Sequence, residues 1–237
     1  MSTAAWRSGL WSWLQWLLWA GLCLQLAWGL RIAAMNWLMP SSTAMQRSEA
    51  VRLLRSGQGL DAWSHRPLAH GLLPDPLRRA VVASEDAKFF EHWGVDAQAL
   101  QSAWARWQAG GRVMGGSTIS QQLAKNLFLS GERQFWRKGQ ELLIALGLEL
   151  MLSKSRLLDI YLNHVEWGEG VFGAEAAAQA HFGEHAWALN ASQAARLAVM
   201  LPSPKRFEAK PQSRYLRQRA VVIRRRMQAV ELPPRQP

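Results

Sequence analysis

The chain has 237 residues, 49% hydrophobic and 19% charged, with 18 Gly and 10 Pro; this near-average usage excludes collagen-like and low-complexity classes and allows a sizeable core. One cysteine excludes an intrachain disulfide framework and a cysteine-rich zinc site. The 28 Lys and Arg against 17 Asp and Glu leave a net charge of +11, which points to an anionic partner: nucleic acid, acidic lipid or a phosphorylated substrate.

Residues 8–30 carry no formal charge and lie between Arg7 and Arg31. As a helix they would span about 35 Å, enough for the roughly 30 Å hydrocarbon core of a bilayer. Seven of the fourteen Trp fall in the first 40 residues, and Trp favours membrane interfaces. A cleaved signal peptide would have a shorter apolar region and a small-x-small site after it. Ala20-Gly21 and Ile32-Ala33-Ala34 match that site weakly, so an uncleaved single-pass anchor is expected. The flanking charges do not orient it. Cys23 lies inside the segment as a small apolar filler.

The expected organisation is a short N-terminus at 1–7, a transmembrane helix at 8–30, a juxtamembrane linker at 31–55, a catalytic domain at 56–210 and a basic tail at 211–237. Helical spacing recurs and alternating strand patterns are nearly absent, so a mainly α fold is expected. Leu77, Ala80, Val81 and Ser84 form a helical stripe opened by Pro76. Residues 137–152 are apolar around most of their circumference and predict a central buried helix. Residues 155–166 predict another, with Leu157, Leu158, Tyr161 and Leu162 inward. Asn190 and Gln193 form a capped helix start, and Pro202 ends that helix.

Three blocks carry chemistry. In the first, Glu85 and Asp86 end an apolar helix and meet Phe89, Phe90, His92 and a Gly94 turn. A carboxylate partly desolvated there would have a pKa raised toward a useful range for proton transfer; a solvated helix end is the plainer reading of the same pattern. In the second, Gly115, Gly116, Ser117 and a Thr118-x-x-Gln121 capping box start a helix whose free amides could receive an anion. Gln121 and Lys125 share a face. The Gly-x-x-x-x-Gly-Lys spacing of a Walker loop is missing. In the third, Arg137 and Glu141 are an i, i+4 pair, so four cations (Lys125, Arg133, Arg137, Lys138) fall within 14 residues. An ordinary helix ion pair is the plainer reading there. From residue 205 to 237, ten Lys and Arg face two Glu, so +8 of the net charge sits in the tail. Such a run is commonly a solvated basic helix, and attraction to anionic head groups is the sharper reading.

These blocks resemble, in order, the motifs of the peptidoglycan glycosyltransferase family (family 51), the module also found at the front of bifunctional penicillin-binding proteins. Motif one is matched by Glu85, Asp86, Phe89, His92 and Gly94. Motif two is matched by Gly116, Ser117, Thr118, Gln121, Gln122, Lys125 and Asn126, and motif three by Arg137, Lys138, Glu141 and Glu149. Tyr161, Leu162, Asn163, Gly168, Gly173, Ala177, Ala178, Phe182 and Gly183 match motif four. Ala195, Leu197, Ala198, Pro202 and Pro204 match motif five. The resemblance covers residues 60–210, and with no transpeptidase module following it is closest to the monofunctional biosynthetic enzymes of Gram-negative bacteria. His181 stands where the family usually has Tyr, and Gln193 where it usually has Glu.

The resemblance implies a lysozyme-like glycosyltransferase domain that polymerises lipid II into linear glycan strands. Transfer from undecaprenyl diphosphate to a sugar 4-hydroxyl would be inverting. It implies Glu85 as general base and Glu141 as the second important acid. Ser117, Thr118, Gln121, Lys125, Asn126, Arg133, Arg137 and Lys138 would bind substrate. No metal ligand set and no cofactor are expected, although Mg²⁺ or Mn²⁺ could bridge a diphosphate. Expected partners are lipid II, the growing lipid-linked chain, membrane lipids and cell-wall synthesis or division proteins, but not nucleic acid. The expected location is the bacterial inner membrane, with the catalytic domain in the periplasm. Trp104 and Trp107, with Arg106 between them, are either a core pair or a segment that dips into the bilayer interface. The competing functions are a lytic transglycosylase or lysozyme-like enzyme, a membrane-tethered nucleic-acid binder suggested by charge alone, and a non-catalytic scaffold.

Overall fold

The computed structural model describes residues 3–57, 59–61, 63–111, 116–129 and 135–234. The chain divides into two units, residues 1–38 and 39–237. The first is built on one helix, α1 (Thr3–Ala34). Its stretch Trp11–Ala34 is long and apolar enough to cross a membrane. The helix therefore runs four residues past the predicted end of the span.

The second unit begins sooner than predicted. Residues 31–55 are read from sequence as a linker, yet α2 (Ala44–Arg55) occupies much of them. The physical reason is a capping box: Thr43 Oγ1 accepts from the Gln46 amide at 3.1 Å, and Gln46 Oε1 accepts from the Thr43 amide at 2.8 Å. Leu53 is buried, and α2 packs against a later helix, α5 (Ile119–Phe128). Ahead of the cap, the Pro40 carbonyl lies 2.7 Å from His164 Nε2.

Between them lie α3 (Asp75–Glu85) and α4 (Ala97–Gln108). Pro76 in the first turn of α3 costs no hydrogen bond there, and Leu77, Ala80 and Val81 are fully buried. Asp96 caps α4 by accepting from the Ala99 amide at 2.9 Å. After α5 come α6 (Phe135–Met151) and α7 (Lys154–His164). The central buried helix is α7, not the predicted one at 137–152. Every residue from Ser155 to His164 is buried, whereas α6 buries only one face through Ile144, Ala145 and Leu148. Leu143 and Leu150 on α6 stay 65% and 75% exposed. Apolar residues around a whole helix do not say which face finds a partner. Each Leu buried in α7 contributes about 1.5–3 kcal/mol, so truncating Leu157 to Ala would cost roughly 2–5 kcal/mol.

A small sheet follows: β1 (Ser64–His65), β2 (Glu166–Gly168) and β3 (Val171–Phe172), in the order β1-β3-β2. β1 runs parallel to β3, and β2 runs antiparallel to it. The hairpin leads into α8 (Ala174–Phe182) through Gly173. That residue has φ +84°, and a Cβ on it would sit 2.5 Å from the Asn163 carbonyl oxygen, so only glycine fits. His181 Nε2 lies 2.9 Å from the Trp167 carbonyl, a contact that settles its place in the hairpin packing.

The last elements are α9 (Ala191–Met200), α10 (Pro204–Glu208) and α11 (Arg214–Arg226). The Asn190–Gln193 capping box opens α9 as predicted, and Gln193 Nε2 also donates to Glu184 at 3.1 Å. The basic tail predicted at 211–237 is instead part of the domain. Leu216, Ile223 and Met227 are buried, and α11 packs against α9 and α3. Its apolar stripe was masked in the sequence by the arginines on its outer face.

Candidate active site

The site is built where α3 ends against α5. The helix α3 stops because Asp86 leaves helical backbone, at φ −160° and ψ 76°. Its carboxylate then accepts from the Ile119 amide at 3.0 Å, and His92 Nε2 lies 2.9 Å from it. Asp86 and His92 are thus a structural clamp that caps the first turn of α5. Two of the α5 amides predicted to receive an anion already have protein partners: the Ile119 amide has Asp86, and the Gln121 amide has Thr118 Oγ1 at 3.2 Å.

Two of the predicted substrate ligands are engaged within the protein. Thr118 is 2% exposed, and its hydroxyl donates to the Gly94 carbonyl at 2.7 Å. Gln121 is 5% exposed and turns its Oε1 back to the Thr118 amide. Both hold the helix start. Ser117 remains exposed and Asn126 is buried. Arg133 and Gly115 lie outside the described residues.

Glu85, one residue before Asp86, has different surroundings. Gln122 Nε2 donates to its Oε2 at 3.0 Å, and the Ser84 hydroxyl lies 3.4 Å from its Oε1. Burial pushes the Glu85 carboxyl above the ordinary glutamate range, and the neighbouring Asp86 charge adds to the rise. The hydrogen bonds from Gln122 and Ser84, and the charge of Arg219 on α11, act in the opposite direction. Gln122 was in the motif but not among the predicted site residues. The Thr118-x-x-Gln121 spacing assigns Gln121 to the cap, but nothing local shows that Gln122 meets Glu85, 37 residues away.

The helix α5 carries this geometry onward. Lys125 is three residues beyond Gln122, on a neighbouring position of the same face. Burial lowers the Lys125 pKa; Glu141 on α6 acts against that, and Arg137 and Lys138 act with it. Glu141 is buried and ion-paired with Lys138. Lys125, Arg137, Lys138 and Glu141 therefore share one electrostatic neighbourhood where α5 packs on α6. Glu149, deeper on α6, accepts from Lys154 at 2.8 Å and from the Ser120 hydroxyl, which ties α6 to α5 and α7.

On α4, Trp104 and Trp107 are 58% and 52% exposed, with ring centroids 4.8 Å apart. The core-pair reading of these residues is therefore corrected. With Leu100, Gln101 and Ala103 they line an apolar groove.

Glu85, with its raised pKa, is tied through Gln122 to the helix that carries half-buried Lys125, and Lys125 shares its surroundings with half-buried Arg137 and exposed Lys138, an arrangement that suits glycosyl transfer. The transglycosylase family model matches residues 51–228, and the chain belongs to that family. The lysozyme-like, mainly α class expected from the motifs is the one this family has. Among relatives named biosynthetic peptidoglycan transglycosylase, one from Burkholderia thailandensis is 49% identical over 94% of this chain and 90% of its own length. Others from Paraburkholderia phytofirmans and Bordetella avium are 46% and 47% identical, each over 92% of this chain and 94% of their own length.

Proposed function

We propose that this protein polymerises lipid II into linear glycan strands at a membrane surface. The observation that carries this reading is Glu85, a desolvated carboxylate bound to α5 through Gln122, on the helix that also presents Lys125. An alcohol is a weak nucleophile at neutral pH, so a base must take its proton as the bond forms. The acceptor's 4-hydroxyl oxygen attacks the anomeric carbon of the donor, and its proton passes to Glu85. The bond from that carbon to the diphosphate oxygen breaks, and lipid diphosphate departs with the electron pair. Attack opposite the leaving group inverts the anomeric centre, with the oxocarbenium-like transition state of inverting glycosidases.

The leaving diphosphate needs fixed positive charge more than a proton. Lys125, Arg137 and Lys138 supply it, with Arg137 suited to forked contact with phosphate oxygens. Glu141 holds Lys138 and offsets the crowding of like charges around Lys125. Ser117 and Asn126 shape the same cleft. The helix α1 anchors the enzyme, single-pass, in the inner membrane, with the catalytic domain on the periplasmic side. The exposed Trp104 and Trp107 meet the lipid interface, where the substrate tails lie.

The decisive test is polymerisation of lipid II by the wild type and by Glu85→Gln, with circular dichroism to confirm the fold. A well-folded variant that has lost polymer formation by at least about 10³-fold is expected. Retained polymerisation, or release of soluble muropeptides from sacculi by the wild type, would overturn the reading.

A further inference from the structure

Glu85 is held by a side chain whose own orientation has to be fixed. The Gln122 amide has a carbonyl end and an N–H₂ end of nearly equal size, and a half-turn about its last bond exchanges them. With the N–H₂ end toward Glu85 it donates a hydrogen bond to the carboxylate. With the carbonyl end there it would place oxygen against oxygen, unless Glu85 carried a proton to donate. The direction of the Gln122 amide therefore biases the protonation state of the proposed base.

On the far side of Gln122 stands Tyr161, on α7. Its hydroxyl donates to Gln122 Oε1 at 2.8 Å, while Gln122 Nε2 donates to Glu85 Oε2 at 3.0 Å. Tyr161 is 1% exposed, and Gln122 Oε1 is the acceptor found for its hydroxyl among the described residues. Burial and the nearby charges of Glu85 and Asp86 push its phenol pKa well above the ordinary range. It therefore stays a donor throughout the working range of the enzyme. Turning the amide over would leave the phenol proton facing N–H₂ and the carboxylate facing a carbonyl, two losses at once in a half-buried place. The chain Tyr161 to Gln122 to Glu85 thus has one sense, set at its buried end by a group that does not titrate.

We infer that Tyr161 is a positioning residue for polymerisation: through Gln122 it keeps an N–H donor on the Glu85 carboxylate and so holds Glu85 in its deprotonated, proton-accepting form. This rests on the reading of Glu85 as the base. Without the Tyr161 hydroxyl the flipped amide becomes accessible, and that arrangement favours protonated Glu85 alone. Loss of the hydroxyl should therefore move the acidic limb of the rate profile to higher pH, leaving the plateau rate at high pH and the KM for lipid II little changed. A hydroxyl that served packing alone would lower the rate equally at every pH.

The test is the pH profile of lipid II polymerisation by the full-length protein, for wild type, Tyr161→Phe, Gln122→Met and the double variant. Tyr161→Phe is expected to lose about three- to tenfold in kcat below the wild-type midpoint, the factor one hydrogen bond supports, and less than about twofold on the alkaline plateau. Gln122→Met should move the limb the same way, and Tyr161→Phe should add nothing to it in the double variant, since the effect runs through the amide. Should Tyr161→Phe fail to fold, the limb in Gln122→Met decides. An unmoved limb in that variant, an unmoved limb in a folded Tyr161→Phe, or an additive shift in the double variant overturns the inference. If Glu85→Gln is inactive in the same assay, such a result sinks the role of Tyr161 and leaves the base assignment standing; an active Glu85→Gln sinks the base itself.

Discussion

At two junctions in this molecule a half-buried glutamate has its pKa raised by burial, and the surroundings differ. At the α3–α5–α7 junction Glu85 is met by neutral donors, Gln122 and Ser84. At the α2–β2–α10 junction Glu166 sits in a network of charges. Lys205 Nζ lies 3.3 Å from Glu166 and also pairs with Glu49. Arg52 pairs with Glu49 and Glu169, and Glu208 accepts from the Glu169 amide at 2.7 Å. Burial raises both carboxyls, that of Glu166 to about 7. A raised pKa therefore does not by itself mark a catalytic acid or base. The difference is what lies next door. Around Glu166 stand Lys205, Glu49 and Arg52, charges of both signs; beyond Glu85, along α5, are Lys125 and the α6 residues Arg137 and Lys138, the latter ion-paired with Glu141.

The sharpest way to break this comparison is to neutralise each glutamate in turn. Glu85→Gln is expected to lose at least about 10³-fold in polymerisation, while Glu166→Gln stays within about threefold of wild type. Equal losses would show that the two junctions do not differ in kind. Next in size is Lys125→Ala, expected to lower kcat by about 10²–10³-fold with an unchanged melting temperature, because it removes charge that the proposed mechanism sets against the departing diphosphate.

The pH behaviour separates the junctions further. The rate should fall as pH drops through a midpoint above the ordinary glutamate range, since the proposed base Glu85 has to be deprotonated to take a proton. Glu166 should show in stability instead. Its folded-state pKa, about 7, exceeds the ordinary 4.5, so the folded protein binds that proton more tightly than the unfolded chain. The resulting stabilisation is complete below about pH 4.5 and is lost as pH rises toward about 7. Glu166→Gln should flatten that part of the stability curve and raise Tm at pH 8 by about 2–6 °C, measured by calorimetry. The smallest expected effect lies at α4: brominated lipid should quench Trp104 and Trp107 fluorescence, seen as quenching lost in Trp104→Phe and Trp107→Phe. Unchanged quenching in both variants would remove α4 from the lipid interface.

Much of this was legible from residues alone, for identifiable reasons. Capping boxes are local, so the start of α9 at Asn190 could be read directly, as could the Pro76 start of α3. The placing of Glu85 at an apolar helix end allowed its desolvation, but a solvated helix end fitted the same pattern. What escaped depended on contacts distant in sequence. Gln121 could be read as the partner of the Thr118 cap, but only the arrival of Glu85 from 37 residues away decides what Gln122 meets. Tyr161 read as one more inward residue of α7, because periodicity reports burial but not what a buried hydroxyl meets. The α11 stripe of Leu216, Ile223 and Met227 was outweighed in composition by arginines on the other face. The apolar circumference of α6 overstated its burial for the opposite reason: no helix among the described residues covers Leu143 and Leu150.

The double attachment at the end of α3 has a consequence for how the enzyme matures. Asp86 grips the Ile119 amide 33 residues away, and Glu85 grips Gln122 across 37. Neither grip can form until the intervening chain has looped back, and loop closure of that length delays non-local contacts relative to helix growth. In refolding from denaturant, the far-ultraviolet helix signal should accordingly return before polymerising activity does, with an interval of helical but inert protein between them.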